Sequence, residues 1–456
     1  MKDISYMRLV FIGFSLILVL LFFGITKSVD DYPKPNMPPP SEDRKQVYEA
    51  YKLAYLPDGY PGKMTDQGLV AHPIYGPHVI RDFLRLYENG GGEIYLEASE
   101  RVARAGIARM DNLSGSLVFM YRAGNGISTK KDDHYSALTQ AQWLYVLGML
   151  WKITGNNYYL DSAEKVLLSL KIPVEQGGVA KTLHDGIALE EWPSQVPSYI
   201  LNGWTTAVLN IYWYSQLTGS KAAIDLFNQN IAPLERMLGL YDVESLANTR
   251  QLTGFVYIRT NFNEKKLEVT DGSVIVPGEG EYKLDLKGKD RWRSHLNKPK
   301  GKRQLINVVL SRVPYPEVNK VELVFNNKSP AVVNLEIANG DYSPLSTSMP
   351  TKDWLDLGTY NLIEPNARLI IDIPWEKAEL VAYPTNFKKK YGDEFYNAYH
   401  FIHIMNLQKL AEITNSQVFY QYTKKWESYV EKWPSMHVYS THDINLTKYS
   451  ALKVDK

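Results

Sequence analysis

The sequence predicts a mainly α fold with a β module: an α/α toroid, incomplete or closed, of antiparallel helix hairpins, with an inserted β-sandwich-like domain and an N-terminal transmembrane helix. Three observations predict it. An aliphatic residue, Thr, then Gly or Asn recurs between paired apolar segments, at Ile153-Thr154-Gly155, Leu217-Thr218-Gly219 and Ile413-Thr414-Asn415. From Thr253 to Pro384 the texture changes to short alternating runs such as KLEVTDG, VNKVELVF and ARLIIDI. From Leu9 to Ile25 the chain reads LVFIGFSLILVLLFFGI, with Ser15 its only polar residue.

Taken in order, that first run is at the short end of what spans a bilayer as a helix. GITKSVDD offers no small-x-small cleavage site, so residues 1–26 read as an uncleaved signal anchor rather than a removed signal peptide. Lys2 and Arg8 before the run against Lys27 and Lys34 after it barely bias orientation. Placing the large domain outside the cytoplasm, on a periplasmic or extracellular face or in a Golgi lumen, therefore rests on function. Residues 27–40 include DDYPKPNMPPP, a proline-rich extended spacer.

Residues 41–252 form the first part of the helical domain. Each Thr-Gly or Thr-Asn element sits where a helix C-cap is wanted, with a second helix following; FLRLYENGGGEIYLEASERVARAGI from Phe83 is a looser fourth copy. Helix pairs of this length cannot each bury an apolar stripe alone, so they stack side by side. Residues 253–384 then supply five to eight strands punctuated by Gly, Pro and Asn, a sandwich-like insertion. Within it, YKLDLKGKDRWRSHLNKPKGKRQ from Tyr282 is either a solvated basic loop or a contact for a polyanion. Residues 385–456 return to the helical plan.

Composition narrows the chemistry. Lys and Arg number 51 against 50 Asp and Glu, so no global field draws the chain to nucleic acid, and nucleic acid is not an expected partner. With no cysteine, disulfides, zinc-thiolate sites and thiol nucleophiles are excluded. Phosphate loops, G-x-S-x-G elbows and H-E-x-x-H metal helices are absent from the sequence. No cofactor is required by what remains, no metal site is expected, and a divalent cation stays open, as does a homodimer. The 32 tyrosines and 10 tryptophans suit stacking on sugar rings as well as core filling.

Three stretches can carry chemistry: HYSALTQAQW from His134, EEWPSQVPSYILNGW from Glu190 and YHFIHIMNLQ from Tyr399. On a helix Tyr399 and His403 share a face at i and i+4, with His400 beside them. Taken alone, Glu190 and Glu191 are either a solvated pair or one end of a catalytic site. Asn202 and Gly203 follow in an apolar helix, where Gly203 would let a sugar approach closely.

In this order the stretches resemble the D-glucuronyl C5-epimerase family. The resemblance rests on E-E-aromatic-P…P-S-x-x-L-N-G (Glu190 to Gly203) and Y-H-x-x-H-I…L-Q (Tyr399 to Gln408), supported by Y-S-A-x-x-Q-x-Q (Tyr135 to Gln142), ERMLGLYD (Glu235 to Asp242) and KKWESY (Lys424 to Tyr429). It covers most of the helical portion and none of the β module. It implies a catalytic domain that inverts C5 of glucuronate units in a heparosan-like acidic polysaccharide, giving iduronate. Removing a proton next to a carboxylate builds a dianionic intermediate, so the site must neutralise charge and place proton-transfer groups on both sugar faces. Carried over by position, these groups are Glu191 and Tyr399. A phenol with a pKa near ~10 needs a nearby cation to serve as a base at neutral pH, a role open to His400 and His403.

The remaining expected contacts to substrate are Glu190, Trp192, Asn202, Tyr135 and Gln142, with Arg250 or Arg122 to pair its carboxylate. Trp192 departs from the family, which usually has a tyrosine there; an indole stacks on a sugar but exchanges no proton at oxygen. Three other readings follow from the same residues, one of them a glycoside hydrolase with a carboxylate pair across the glycosidic bond, which the adjacency of Glu190 and Glu191 disfavours. A polysaccharide lyase would share the C5 proton abstraction and then expel the C4 oxygen, and a membrane-tethered glycan-binding protein would use the β module alone.

Overall fold

Each Thr of the recurrent element closes a helix with its side chain. Its hydroxyl donates to the carbonyl four residues back, Leu150, Tyr214 or Leu410, at 2.7 to 2.8 Å. The same oxygen accepts from the backbone N–H two residues on, at Asn156, Ser220 or Ser416. Gly155, Gly219 and Asn415 then take left-handed backbone, with φ of 68°, 71° and 56°, a conformation glycine and asparagine adopt readily. The side chains of Asn156, Ser220 and Ser416 cap the next helix. Three consecutive residues thus end one helix and begin its partner.

The computed structural model describes residues 35–194, 196–243, 247–286, 293–311, 318–338, 354–373, 388–391, 394–396 and 398–435. The apolar run at 9–25 lies outside them, as does part of the basic stretch, 287–292. Contacts divide the chain into two units: one from residues up to Met110 with Met120–Asp133, the other from Asp111–Phe119 with His134 onward.

The first unit holds helix α1 (Glu42–Ala50) and an antiparallel sheet of β1 (Leu53–Tyr55), β2 (Pro61–Thr65) and β3 (Gly68–Ala71). Helices α2 (Tyr75–Leu86) and α3 (Glu93–Ile107) complete it.

In the second unit, β4 (Asp111–Leu113) pairs with β5 (Ser116–Val118), ahead of the hairpin α4 (Ala137–Thr154) and α5 (Asn157–Ser169). Next come β6 (Ala180–Leu183) and β7 (Gly186–Leu189), then α6 (Leu201–Thr218) and α7 (Lys221–Tyr241). The short pair β8 (Asp242–Val243) and β9 (Ala247–Asn248) leads into the β module. Helix α6 packs between α4 and a later helix, α8 (Ala398–Thr414), itself paired with α9 (Gln417–Lys432). It is apolar around most of its circumference because neighbours cover it on several sides.

The module is a sandwich. Strands β10 (Thr253–Phe262), β11 (Val269–Val276), β12 (Gly280–Lys283), β13 (His295–Leu296), β14 (Arg303–Ser311), β15 (Asn319–Phe325), β16 (Ala331–Ala338), β17 (Trp354–Leu362) and β18 (Arg368–Ile373) form two antiparallel sheets. Their orders are β13-β14-β10-β16-β17 and β12-β11-β15-β18. Alternate residues of both sheets, including Ile258 and Val308 from one and Val274 and Leu323 from the other, share one core.

The expected fold class is corrected here. With 43% helix and 29% strand in several sheets among the described residues, the fold is mixed α and β, and a mainly α toroid with a single β module does not describe it. Short hairpins such as β6–β7 lie between the helices, each too brief to show a period-2 pattern. Among the described residues no helix is long and apolar enough to cross a membrane.

Candidate active site

Strand β7 delivers Glu190 and Glu191 to a loop that ends at α6, and their side chains part. Glu190 is buried, and its carboxylate accepts from the backbone N–H groups of Ser198 and Tyr199, each at 3.1 Å. Burial outweighs these two bonds and pushes its pKa up to about 7. The expectation that Glu190 meets substrate is corrected: its carboxylate holds the loop together from inside. Glu191 instead crosses the first turn of α6. A Cβ at Gly203 would stand 2.7 Å from Glu191 Oε2 and 3.1 Å from its Cβ, so the bare glycine makes room for Glu191 rather than for a sugar.

Arg250 follows β9 and is anchored by its backbone, whose carbonyl accepts from Leu201 N–H at 2.8 Å. Its Nε donates to Asn202 Oδ1 at 3.0 Å, and a terminal nitrogen reaches Glu191 Oε1 at 3.4 Å. The guanidinium carbon lies 4.4 Å from the centre of the Tyr399 ring, in the second position of α8. Thus one arginine touches both residues carried over as proton-transfer groups. Its side chain is 30% exposed and that of Glu191 13%, so both remain within reach of solvent. Asn202, by contrast, is buried and orients Arg250. Trp192 is half-buried beside Glu191 in the sequence.

The histidines are not the cations expected beside Tyr399. His400 Nε2 donates to the Trp426 carbonyl at 3.0 Å, while its Nδ1 accepts from Asn248 N–H at 3.4 Å. His403 Nδ1 lies 2.7 Å from Asn248 Oδ1. Both rings are fully enclosed, and burial drives the His400 pKa down to about 3 and that of His403 well below its ordinary value. They are neutral at pH 7 and cannot reach substrate. Sequence reasoning missed Asn248, which bonds both rings; nothing in ESLANTRQLTG marks it apart from its neighbours.

Tyr135 is also enclosed, its hydroxyl donating to the Ser169 carbonyl at 2.8 Å. Gln140 is spent on Phe119 N–H, the Leu117 carbonyl and Ser169 Oγ, while Gln142 is half-buried on α4. Tyr135 and Gln140 hold α4 to its surroundings. Arg122 belongs to the other unit, where it pairs with Asp133 at 2.8 Å. Among the described residues no group of three His, Asp or Glu is arranged to hold a metal ion.

Residues 111–250 match the family described as D-glucuronyl C5-epimerase C-terminus. A D-glucuronyl C5-epimerase of Caenorhabditis elegans is 30% identical over 123 residues, 24% of this chain and 20% of that protein. An uncharacterized protein of Methanocaldococcus jannaschii is 33% identical over 110 residues, 23% of this chain and 36% of that one. The matches thus span about a third or less of either relative. Among solved structures, the α-1,6-mannanase GH76A of Salegentibacter sp. HEL1_6 overlaps 45% of this chain and 52% of its own, at 15% identity and a TM-score of 0.31. The endo-β-1,4-glucanase CMCax of Acetobacter xylinum overlaps 44% and 58%, at 11% identity and the same TM-score. These overlaps are too slight to bear on function. Residues 111–250, which hold Glu191, Asn202 and Arg250, are thus similar to the C-terminal part of D-glucuronyl C5-epimerases.

Proposed function

We propose that the chain is a polysaccharide uronate C5-epimerase that converts D-glucuronate to L-iduronate units in a heparosan-like acidic glycan. The observation that carries this reading is Arg250, in contact with both Glu191 and Tyr399. The substrate carboxylate pairs with the guanidinium, drawing it away from Glu191 and freeing that carboxylate to work as a base. One of the two groups takes the C5 proton; the C–H electron pair becomes a double bond between C5 and the carboxylate carbon, and the carbon–oxygen π pair shifts onto a carboxylate oxygen, giving an enolate-like dianion. Arg250 offsets the growing charge in a partly enclosed site, where such an interaction is worth more than in water. The other group returns a proton to the opposite face, and the configuration at C5 is inverted. Trp192 offers an indole face for stacking on a sugar ring.

The test is incubation of the protein with heparosan in deuterated water. Deuterium at C5 with chain length preserved supports the epimerase, and Glu191→Gln and Tyr399→Phe should each abolish the exchange. Shortening with new ultraviolet absorbance would instead mean a lyase, and retention without chemistry a binding protein.

A further inference from the structure

The β module grips the loop that carries Glu191. Val196 lies in the core of the sandwich, among Val256, Ile258 and Val274. Ser311, at the end of β14, donates its hydroxyl to the Pro197 carbonyl at 2.9 Å. The Tyr199 hydroxyl donates to Glu279 Oε1, in the turn between β11 and β12. The other oxygen of Glu279 pairs with Lys181 Nζ at 2.9 Å, on β6. Three positions of the loop, Val196, Pro197 and Tyr199, are thus held by the sandwich.

Tyr199 is the strained member. Its φ is 47°, a left-handed conformation that is unfavourable for a residue bearing a side chain, so something must hold it. The Tyr241 hydroxyl donates to its carbonyl at 2.6 Å, its N–H is taken by Glu190, and its side chain is tied by Glu279. Burial, then the Glu279 charge, pushes the Tyr199 phenol well above its ordinary pKa, so this hydroxyl keeps the proton it donates to Glu279.

We propose that the β module is the clamp of the catalytic loop, and that Glu279 is a positioning residue acting through Tyr199 and Glu190 on Glu191. Glu279 fixes the Tyr199 side chain, and the left-handed turn there aims the Ser198 and Tyr199 amides at Glu190. Glu190, so anchored, sets the backbone from which Glu191 crosses Gly203 toward Arg250. The role named for Glu191 rests on the epimerase reading; the clamp itself does not.

The experiment compares the whole chain with Glu279→Gln, Tyr199→Phe and the double variant. Tyr199→Phe removes one hydroxyl and leaves the Glu279 to Lys181 pair intact, so it tests the link even if Glu279→Gln folds poorly. Amide hydrogen exchange over residues 190–200 should rise in each variant while exchange in β10 and β14 stays at the wild-type level. C5 deuteration should fall about 10-fold in kcat with KM within twofold, and the double variant should be no worse than the weaker single one. Unchanged exchange at 190–200 in Tyr199→Phe, or losses in kcat that multiply in the double variant, would overturn the proposal. A wild type that deuterates no uronate yet shows Glu279-dependent protection at 190–200 sinks the activity and supports the clamp.

Discussion

The guanidinium of Arg250 lies over the ring of Tyr399 at 4.4 Å while its Nε is held by Asn202 at 3.0 Å. The fork geometry matters because one side chain serves an amide oxygen, a carboxylate and an aromatic face at once. An ammonium is a point charge on a flexible stem and cannot do this. Arg250→Lys should therefore lower kcat for C5 exchange by ~100-fold, the scale of losing one charge-stabilising donor. Arg250→Gln should lower it further. Asn202→Ala, which frees Nε, should fall between wild type and Arg250→Lys. Wild-type rates in Arg250→Lys would reject the bridging role.

Gly203 separates stability from activity. An alanine there places a methyl 2.7 Å from Glu191 Oε2, so Glu191 must move, while α6 gains up to about 1 kcal/mol of helix propensity. Gly203→Ala should keep or raise the melting temperature and still lose most C5 exchange. Thermal unfolding beside the deuterium assay checks both halves.

Glu190 should make folding weaker as pH rises. Its folded pKa of about 7 lies above the ordinary carboxyl value of 4.5, so the folded state binds more protons than the unfolded one between those two values. The stability it contributes is present in full below the unfolded pKa and is lost as pH rises through the folded one. About two units of that window lie between pH 5 and 7, or about 3 kcal/mol at most. Urea unfolding at pH 5 and 7.5 should show Glu190→Gln without this loss.

The buried imidazoles act in the opposite direction. His400, with a folded pKa of about 3 against an ordinary 6.5, contributes stability that is present above pH 6.5 and lost as pH falls below it. Between pH 7.5 and 5 this amounts to about 2 kcal/mol. His403 works in the same sense. The wild-type profile is thus the sum of opposed terms, and His400→Gln should remove the acid-side loss while leaving the Glu190 term. Parallel profiles for wild type and His400→Gln would show that the ring is not held neutral.

The helix ends were legible because capping is local. A Thr hydroxyl reaching back four residues and forward two, followed by a residue tolerant of positive φ, needs no tertiary partner. The strand texture from Thr253 was legible for the same reason, since alternation is a property of consecutive residues. The brief hairpins between helices were not, because four residues carry no resolvable period.

At the site, motif order singled out Glu191 and Tyr399, and Arg250 was one of two arginines that the sequence had no means of ranking. The fold separates them: Arg250 reaches Glu191 and Tyr399, and Arg122 pairs with Asp133 in the other unit. Chemical type alone misassigned Glu190, Tyr135, His400 and His403. Each is polar and sits in a suggestive stretch, yet each is buried and hydrogen-bonds to the protein itself. Glu279 escaped notice because its partners, Lys181 and Tyr199, are distant in the chain.

By itself, then, the sequence determined the helix hairpins, the β insertion and the two residues proposed to move the C5 proton. These follow from spacing, capping and motif order along neighbouring residues. Only the tertiary structure decided which charged and polar groups face solvent and which are consumed in holding the loop. Burial and hydrogen-bond satisfaction depend on segments brought together from far apart, and they separate a carboxylate that can take a proton from one that braces its backbone.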